Sequence, residues 1–354
     1  IAGPGTGKTR ALTERIISLI RDRKADPGKI MAVTFTNKAA EEMLHRLSAK
    51  ITADQKPWVG TFHAFGYSFL KENLEFTGRS DPFLILDRDE RIRILKRTGI
   101  DNKKLHEEAD RIGRIKEMVE EPAEEDKVFV KYQQELTAMN AFDLEDLLYR
   151  TVGILTGQPE VLDRYRKRIE WLLVDEYQDI NPVQYRLVRL LMPPETGNLF
   201  VIGDPDQAIY GFRGSDVRFI EKFREDYRNA VLYRLDRSYR CSDTILSASA
   251  GVVGGLNPEG RLLQGMHAGL KLKISVQPSE KAEAEYIART IEKMMGGTDL
   301  FSMYSGVSDG EQAAGGSGLS DFAVFCRISK LMPPVEKALN DHHIPYQKAG
   351  EEDL

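Results

Sequence analysis

Apolar and polar positions along this chain recur with two different periods. Leu12, Ile16, Ile17, Leu19 and Ile20 share one face at helical spacing and predict an amphipathic helix near the start. Ile30 to Phe35 (I-M-A-V-T-F) is a short continuous apolar run and predicts a buried strand. Over Lys38 to Lys50 the helical period returns, with Ala39, Ala40, Met43, Leu44 and Leu47 inward. Val59-Gly60-Thr61 then predicts a strand end, with another helix from about His63. This βαβα order predicts a parallel sheet with crossover helices. Trp171 to Val174 and Leu199 to Ile202 are again continuous apolar runs, closing on Asp175 and Gly203. Runs apolar at every position predict central strands covered on both faces.

From Asn73 to Met139 strands vanish from the pattern, and charged helical stretches such as Arg88–Thr98 and Leu105–Val119 predict an inserted helical subdomain. Further on, Leu272, Ile274 and Val276 alternate as a strand and Ala282–Met295 reads as a helix. Phe322–Phe325 reads as a strand, Val335–Leu339 as a helix, and Ile344-Pro345-Tyr346 as the start of another strand. The expected organisation is a first core over 1–72 and 140–234, a helical insert over 73–139, and part of a second core over 235–354. Gly296 to Ser320 is rich in Gly and Ser and reads as a mobile loop.

Composition narrows the function classes. A length of 354 residues allows two or three domains with ample core. Charged residues make up 30% and the net charge is −5, so no overall basic footprint advertises nucleic acid, although local patches can still bind it. The clusters Arg91-Ile92-Arg93 and Arg166-Lys167-Arg168 read as solvated helix faces. Cys241 and Cys326 are the only cysteines, which excludes a disulfide framework and a cysteine-held zinc or iron–sulfur site. A reduced cytosolic compartment fits. No apolar run approaches membrane-spanning length and no signal peptide is visible. The chain opens at Ile1, inside the strand expected to feed the first motif, so it reads as a piece of a longer protein.

That first motif is Ala2 to Thr9, A-G-P-G-T-G-K-T, a phosphate-binding loop of the A-x-x-x-x-G-K-T form with Ala2 where the strict pattern has Gly. Gly3, Gly5 and Gly7 let backbone N–H groups wrap phosphate oxygens, and the following helix adds its positive end. Lys8 suits β- and γ-phosphate charge, and the Thr9 hydroxyl suits Mg²⁺. Asp175-Glu176 closes an apolar strand, where ligands of open parallel sheets bind. Asp175 is then a candidate for orienting Mg²⁺ and Glu176 for polarising the attacking water. Gly203-Asp204-Pro205-Asp206-Gln207 follows the next strand and is either a γ-phosphate sensor, through the Gln207 amide, or a tight polar turn; the residues alone leave both open. Tyr210, Phe212 and Arg213 interleave aromatics with Arg, which suits base stacking on a single strand, although core packing is the commoner fate of aromatics.

These motifs arrive in an order that resembles the UvrD/Rep/PcrA family of superfamily-one DNA helicases. The resemblance rests on Gly3–Thr9, Thr34-Phe35-Thr36-Asn37-Lys38-Ala39-Ala40, Gly60-Thr61-Phe62-His63-Ala64-Phe65, Val174–Asp179, Gly203–Asp216 and Leu235-Asp236-Arg237-Ser238-Tyr239-Arg240. Asp143–Leu148 is similar to the family's D-[FL]-x-D-L-L stretch. The match runs over essentially the whole chain. It implies an α/β fold of RecA-like P-loop NTPase cores, with ATP and Mg²⁺ as cofactors and single-stranded or junction DNA as partner. It places nucleotide on Gly3, Pro4, Gly5, Thr6, Gly7, Lys8, Thr9 and Arg10, and the metal on Thr9 and Asp175. Glu176 becomes the water-activating base, Gln207 the γ-phosphate contact and Arg240, on the second core, an arginine finger in cis. Phe35, Thr36, Asn37, Thr61, His63, Tyr210, Phe212 and Arg213 would line the DNA path, making Phe35 a stacker and His63 a DNA backbone contact rather than a metal ligand.

The resemblance further implies 3′-to-5′ movement, a cytoplasmic, nucleoid-associated location, and repair or replication proteins as possible partners. It also implies an adenine-reading glutamine motif upstream of Ile1 and later second-core motifs, including a second arginine finger, beyond Leu354. Phe212 stands where the family usually has Trp, a smaller stacking face. Two rivals stay open: the motor of a helicase–nuclease, and a non-motor ATP switch or DNA-binding scaffold.

Overall fold

The computed structural model describes residues 1–52, 56–119, 126–211, 214–253, 263–295 and 318–348. The chain forms two compact units, Ile1–Leu270 and Lys271–Leu354. In the first unit the strands are β1 (Ile30–Thr34), β2 (Trp58–Thr61), β3 (Leu84–Leu86), β4 (Ala141–Asp143), β5 (Trp171–Val174) and β6 (Asn198–Val201). The longer helices are α1 (Lys8–Arg21), α2 (Asn37–Ser48), α3 (Phe62–Glu72), α4 (Arg88–Arg97), α5 (Leu105–Met118), α6 (Lys127–Ala138), α7 (Asp146–Gly157), α8 (Pro159–Arg168) and α9 (Pro182–Leu191).

The main sheet is parallel with order β2-β1-β5-β6. Every residue of β1 is buried, as its unbroken apolar run requires. Its alternate side chains enter different cores. Met31 and Val33 join Leu172 and Val174 in a cluster with Phe65 and Phe69 of α3, Leu148 of α7 and Leu187 of α9. Ile30 and Ala32 join Leu173 in a second cluster with Leu12, Ile16 and Leu19 of α1 and Met43 and Leu47 of α2. Helices thus cover both faces, and fully burying Leu12, Ile16 or Leu19 contributes about 1.5–3 kcal/mol each. Because the strands are parallel, their C-terminal ends share one edge. Thr34 pairs with Thr61, Val33 with Val174, and Val174 with Val201. The βα turns there are closed by side-chain caps: Thr36 accepts from Ala39 N (3.1 Å) and Thr61 from Ala64 N (3.2 Å).

The insert has its own core, in which Leu86, Ile94, Leu95, Ile112, Phe129, Tyr132 and Leu136 pack together. The expectation that strands vanish here needs correction. β3 lies inside the insert and pairs in parallel with β4, Leu84 against Ala141 and Leu86 against Asp143. Residues 235–270, which follow the expected boundary at 235, lie in the first compact unit. Main-chain bonds hold them there: Leu235 N donates to Ile1 O (2.9 Å) and Tyr239 N to Gly5 O (2.9 Å), and Ala2 bridges Leu235.

In the second unit, the helices Glu280–Met294 and Met332–Asp341 pack Ala284, Ala288 and Ile291 against Ala338 and Leu339. The strands expected at 272–276, 322–325 and 344–346 do not form among the described residues. Ile274, Val276 and Phe325 are each more than 90% exposed, so the alternation there has no ladder partner to make it a strand. The Gly/Ser-rich stretch expected as a loop lies, apart from Gly318–Ser320, outside the described residues.

Candidate nucleotide and nucleic-acid site

The phosphate loop starts where Ala2 N donates to Gly203 O (3.0 Å), so it leaves the sheet edge beside the end of β6. Within the loop the Thr6 hydroxyl donates to Gly3 O (2.8 Å). Gly5 and Gly7 adopt φ of 70° and 91°, the left-handed region that a side chain disfavours, and Gly7 is the residue from which α1 springs. Lys8 and Thr9 occupy the first turn of α1, with Arg10 exposed one residue on.

Lys8 lies at the centre of the cluster. Its Nζ is 3.4 Å from Glu176 Oε2 and donates to Gln207 Oε1 at 3.2 Å. Three side chains picked from separate stretches of sequence therefore meet. Glu176 turns toward Lys8 because its own backbone is left-handed (φ 47°, ψ 48°), a conformation that costs a non-glycine residue about 1–2 kcal/mol. Asp175, just before it, is buried and receives Glu176 N at 3.0 Å. Burial pushes the Asp175 carboxyl up to about 6, the Glu176 charge adds to the rise, and Lys8 opposes it. Asp179 is likewise pushed up to about 6 by burial, with Glu176 again adding. Gln207 is itself held: its Nε2 donates to Asp204 Oδ2 at 2.6 Å.

A second cluster lies along the same strand-end edge. Phe35, directly after β1, stacks on Tyr210, with ring centroids 5.1 Å apart and planes at 23°. Phe35 remains 37% exposed, an open aromatic face rather than core. Thr36 and Thr61 spend their hydroxyls on helix caps, and Asn37 and His63 sit in the first turns of α2 and α3. Burial pushes the His63 imidazole below its ordinary value, which favours the neutral ring. No group of three metal-ligating side chains occurs among the described residues. Phe212 and Arg213 lie outside the described residues.

A family model for the UvrD/REP helicase N-terminal domain matches residues 1–228. The chain belongs to this helicase family. It is 32% identical over 374 residues to the ATP-dependent DNA helicase PcrA of Staphylococcus aureus (strain Mu50 / ATCC 700699), covering 99% of this chain and 48% of that protein. Similarity to PcrA of Leuconostoc citreum is also 32% identity, over 99% of this chain and 47% of the relative. The ATP-dependent DNA helicase UvrD1 of Mycobacterium bovis (strain ATCC BAA-935 / AF2122/97) is 34% identical over 383 residues, 99% of this chain and 47% of its own length. The chain thus spans about half the length of the curated relatives it matches.

Arg240, expected on a second core as an arginine finger, lies within the compact unit Ile1–Leu270 and backs onto the phosphate loop. A Cβ added at Gly5 would stand 2.5 Å from Arg240 Cβ and 2.7 Å from Ser238 Oγ. The Ser238 hydroxyl donates to Pro4 O (2.8 Å), and the Arg240 side chain itself is exposed. Sequence reasoning missed three polar side chains in this region: Ser238, Asp204 and Gln178. For Gln178 a signal was present, an amide set between acids just after an apolar strand.

Proposed function

We propose that this chain is the N-terminal motor portion of an ATP-dependent 3′-to-5′ single-stranded DNA translocase and helicase, built on a RecA-like core. The observation that carries the reading is the convergence of Lys8 on Glu176 and Gln207. The loop Gly3–Thr9 wraps the phosphates with its N–H groups, and Arg10 stands at its exit. Lys8 takes β- and γ-phosphate charge. Thr9 and Asp175 supply hard oxygen donors suited to Mg²⁺. The Asp175 carboxylate is buried at the end of β5, directly before Glu176, so two carboxylates stand side by side at the strand end facing Lys8. Mg²⁺, when bound, would neutralise phosphate charge and orient the phosphate chain.

Glu176 accepts the proton of the attacking water, and Gln207 donates its amide to the γ-phosphate. Arg240 takes charge that develops as the terminal phosphoryl group leaves. The Phe35–Tyr210 stack offers bases an aromatic platform, with Thr36, Asn37, Thr61 and His63 beside it on the strand-end edge. Phe212 and Arg213, which come after Gly211 in the sequence, belong to the proposed path as well. Such a motor would work in the cytoplasm at the nucleoid, with repair or replication proteins.

The test is ATP hydrolysis by this chain with and without single-stranded DNA, against Lys8→Ala. DNA-stimulated turnover that Lys8→Ala abolishes supports a coupled motor site. Turnover that survives Lys8→Ala would overturn the assignment.

A further inference from the structure

Gln178 is 1% exposed and has a defined set of partners. Its Nε2 donates to Glu176 Oε2 and to Asp179 Oδ2, each at 3.0 Å. Its Oε1 accepts from Asp204 N at 2.9 Å. Carboxylates accept and a backbone N–H donates, so chemistry allows only this orientation of the amide. The end of β6 is shaped around it: a Cβ at Gly203 would stand 2.5 Å from Gln178 Oε1, so only glycine lets the chain approach.

Downstream, the same segment anchors the aromatic loop. Asp179 O accepts from Ser215 Oγ (2.6 Å) and Ile180 O from Asp216 N (3.1 Å). Ser215 N in turn reaches the O of Tyr210 (3.4 Å), the residue that stacks on Phe35. One amide therefore holds Glu176, the turn bearing Asp204 and Gln207, and the segment that pins the Tyr210 loop. With its two hydrogens on different carboxylates, it cannot follow one without straining its bond to the other.

We propose that Gln178 is a positioning residue that relays the arrangement of the nucleotide site to the strand-facing Tyr210 loop. The proposal rests on the ATP-site reading above. Its test is hydrogen exchange of residues 205–216 in the full chain, with and without Mg²⁺ and a non-hydrolysable ATP analogue. In the wild-type chain the analogue should change exchange in this segment. Gln178→Ala should bind the analogue within about threefold of wild type yet lose that response, with kcat of DNA-stimulated hydrolysis down about tenfold and KM little changed. Ser215→Ala should lose the stimulation while basal hydrolysis stays.

Two outcomes overturn the relay while leaving the ATP reading intact. One is a wild-type exchange response in Gln178→Ala. The other is a parallel fall of analogue affinity and melting temperature in that variant, as a merely structural role would produce. Failure of the wild-type chain to bind the analogue overturns the ATP reading itself, and the relay falls with it.

Discussion

Lys116 offers a sharp test of how the insert is held. Its ammonium is fully buried between two fully buried carboxylates, Asp143 Oδ2 at 2.5 Å and Asp146 Oδ1 at 2.9 Å. Arg91 stands 3.8 Å from Asp143 and 2.6 Å from Glu145, and Arg150 stands 3.6 Å from Asp146. Arg79 also acts on Asp143 and Asp146, and Glu117 on Glu145 and Arg91; within this network Lys116 is the cation in direct contact with both Asp143 and Asp146, and Lys116→Met takes that contact from two fully buried carboxylates. Breaking such a pair costs about 3–5 kcal/mol. For a unit of this size each kcal/mol lowers the melting temperature by roughly 2–4 °C, so a fall of roughly 10 °C is expected by circular dichroism.

The sign of the pH dependence sharpens the test. Burial alone would push the Asp143 carboxyl up, and Lys116 and Arg91 overcome it and hold it below its ordinary value. A depressed carboxyl adds stability above its unfolded value and loses it as pH falls through the folded one. Without Lys116 burial dominates, the folded value rises above the unfolded one, and stability falls as pH rises. The loss in Lys116→Met should therefore be smallest in acid, where Asp143 is protonated, and grow as pH rises toward neutrality. Adding Asp143→Asn removes the buried carboxylate that Lys116 contacts most closely and should recover at least half of it. A loss independent of pH, or a double variant no better than the single, would refute the reasoning.

Three further perturbations test other parts of the site. Glu176→Gln should keep ATP binding and cut hydrolysis by about 10²–10⁴-fold in single-turnover assays; unchanged turnover would sink the base assignment. Tyr210→Ala should weaken single-stranded DNA binding by about 1–3 kcal/mol with ATP affinity unchanged, read by fluorescence anisotropy; equal loss of both affinities would count against stacking. Burial pushes Glu117 up to about 7, with Glu145 adding and Arg91 opposing. A raised carboxyl loses stability as pH rises through its folded value, so Glu117→Gln should gain about 1 kcal/mol near pH 8, after allowance for solvent screening, and little near pH 5. Parallel urea curves for the two proteins across that range would contradict this.

Which features could be read from the residues follows from where their causes lie. β1 and β5 were legible because burial on both faces writes itself as consecutive apolar residues. That Lys8, Glu176 and Gln207 would lie together was legible because strand ends of a parallel sheet gather at one edge. The three-residue β3 was not, since what makes it a strand is β4, more than fifty positions further along the chain. The alternation at Leu272–Val276 misled for the complementary reason: period two states which side chains share a face but supplies no partner. Gln178 looked like one polar residue among several, because the value of an amide depends on which donors and acceptors surround it.

The phosphate loop shows how far such long-range contacts reshape a local motif. By sequence its glycines exist to admit phosphate. Gly5 has a second obligation, since Ser238 and Arg240 press against its outer side and leave no room for a Cβ. The backbone bond from Tyr239 N to Gly5 O and the bond from the Ser238 hydroxyl to Pro4 O hold that contact from both sides of the turn. The loop is thus clamped between α1 and the 235–240 segment, and Arg240 stands beside it through main-chain contacts of the first unit alone.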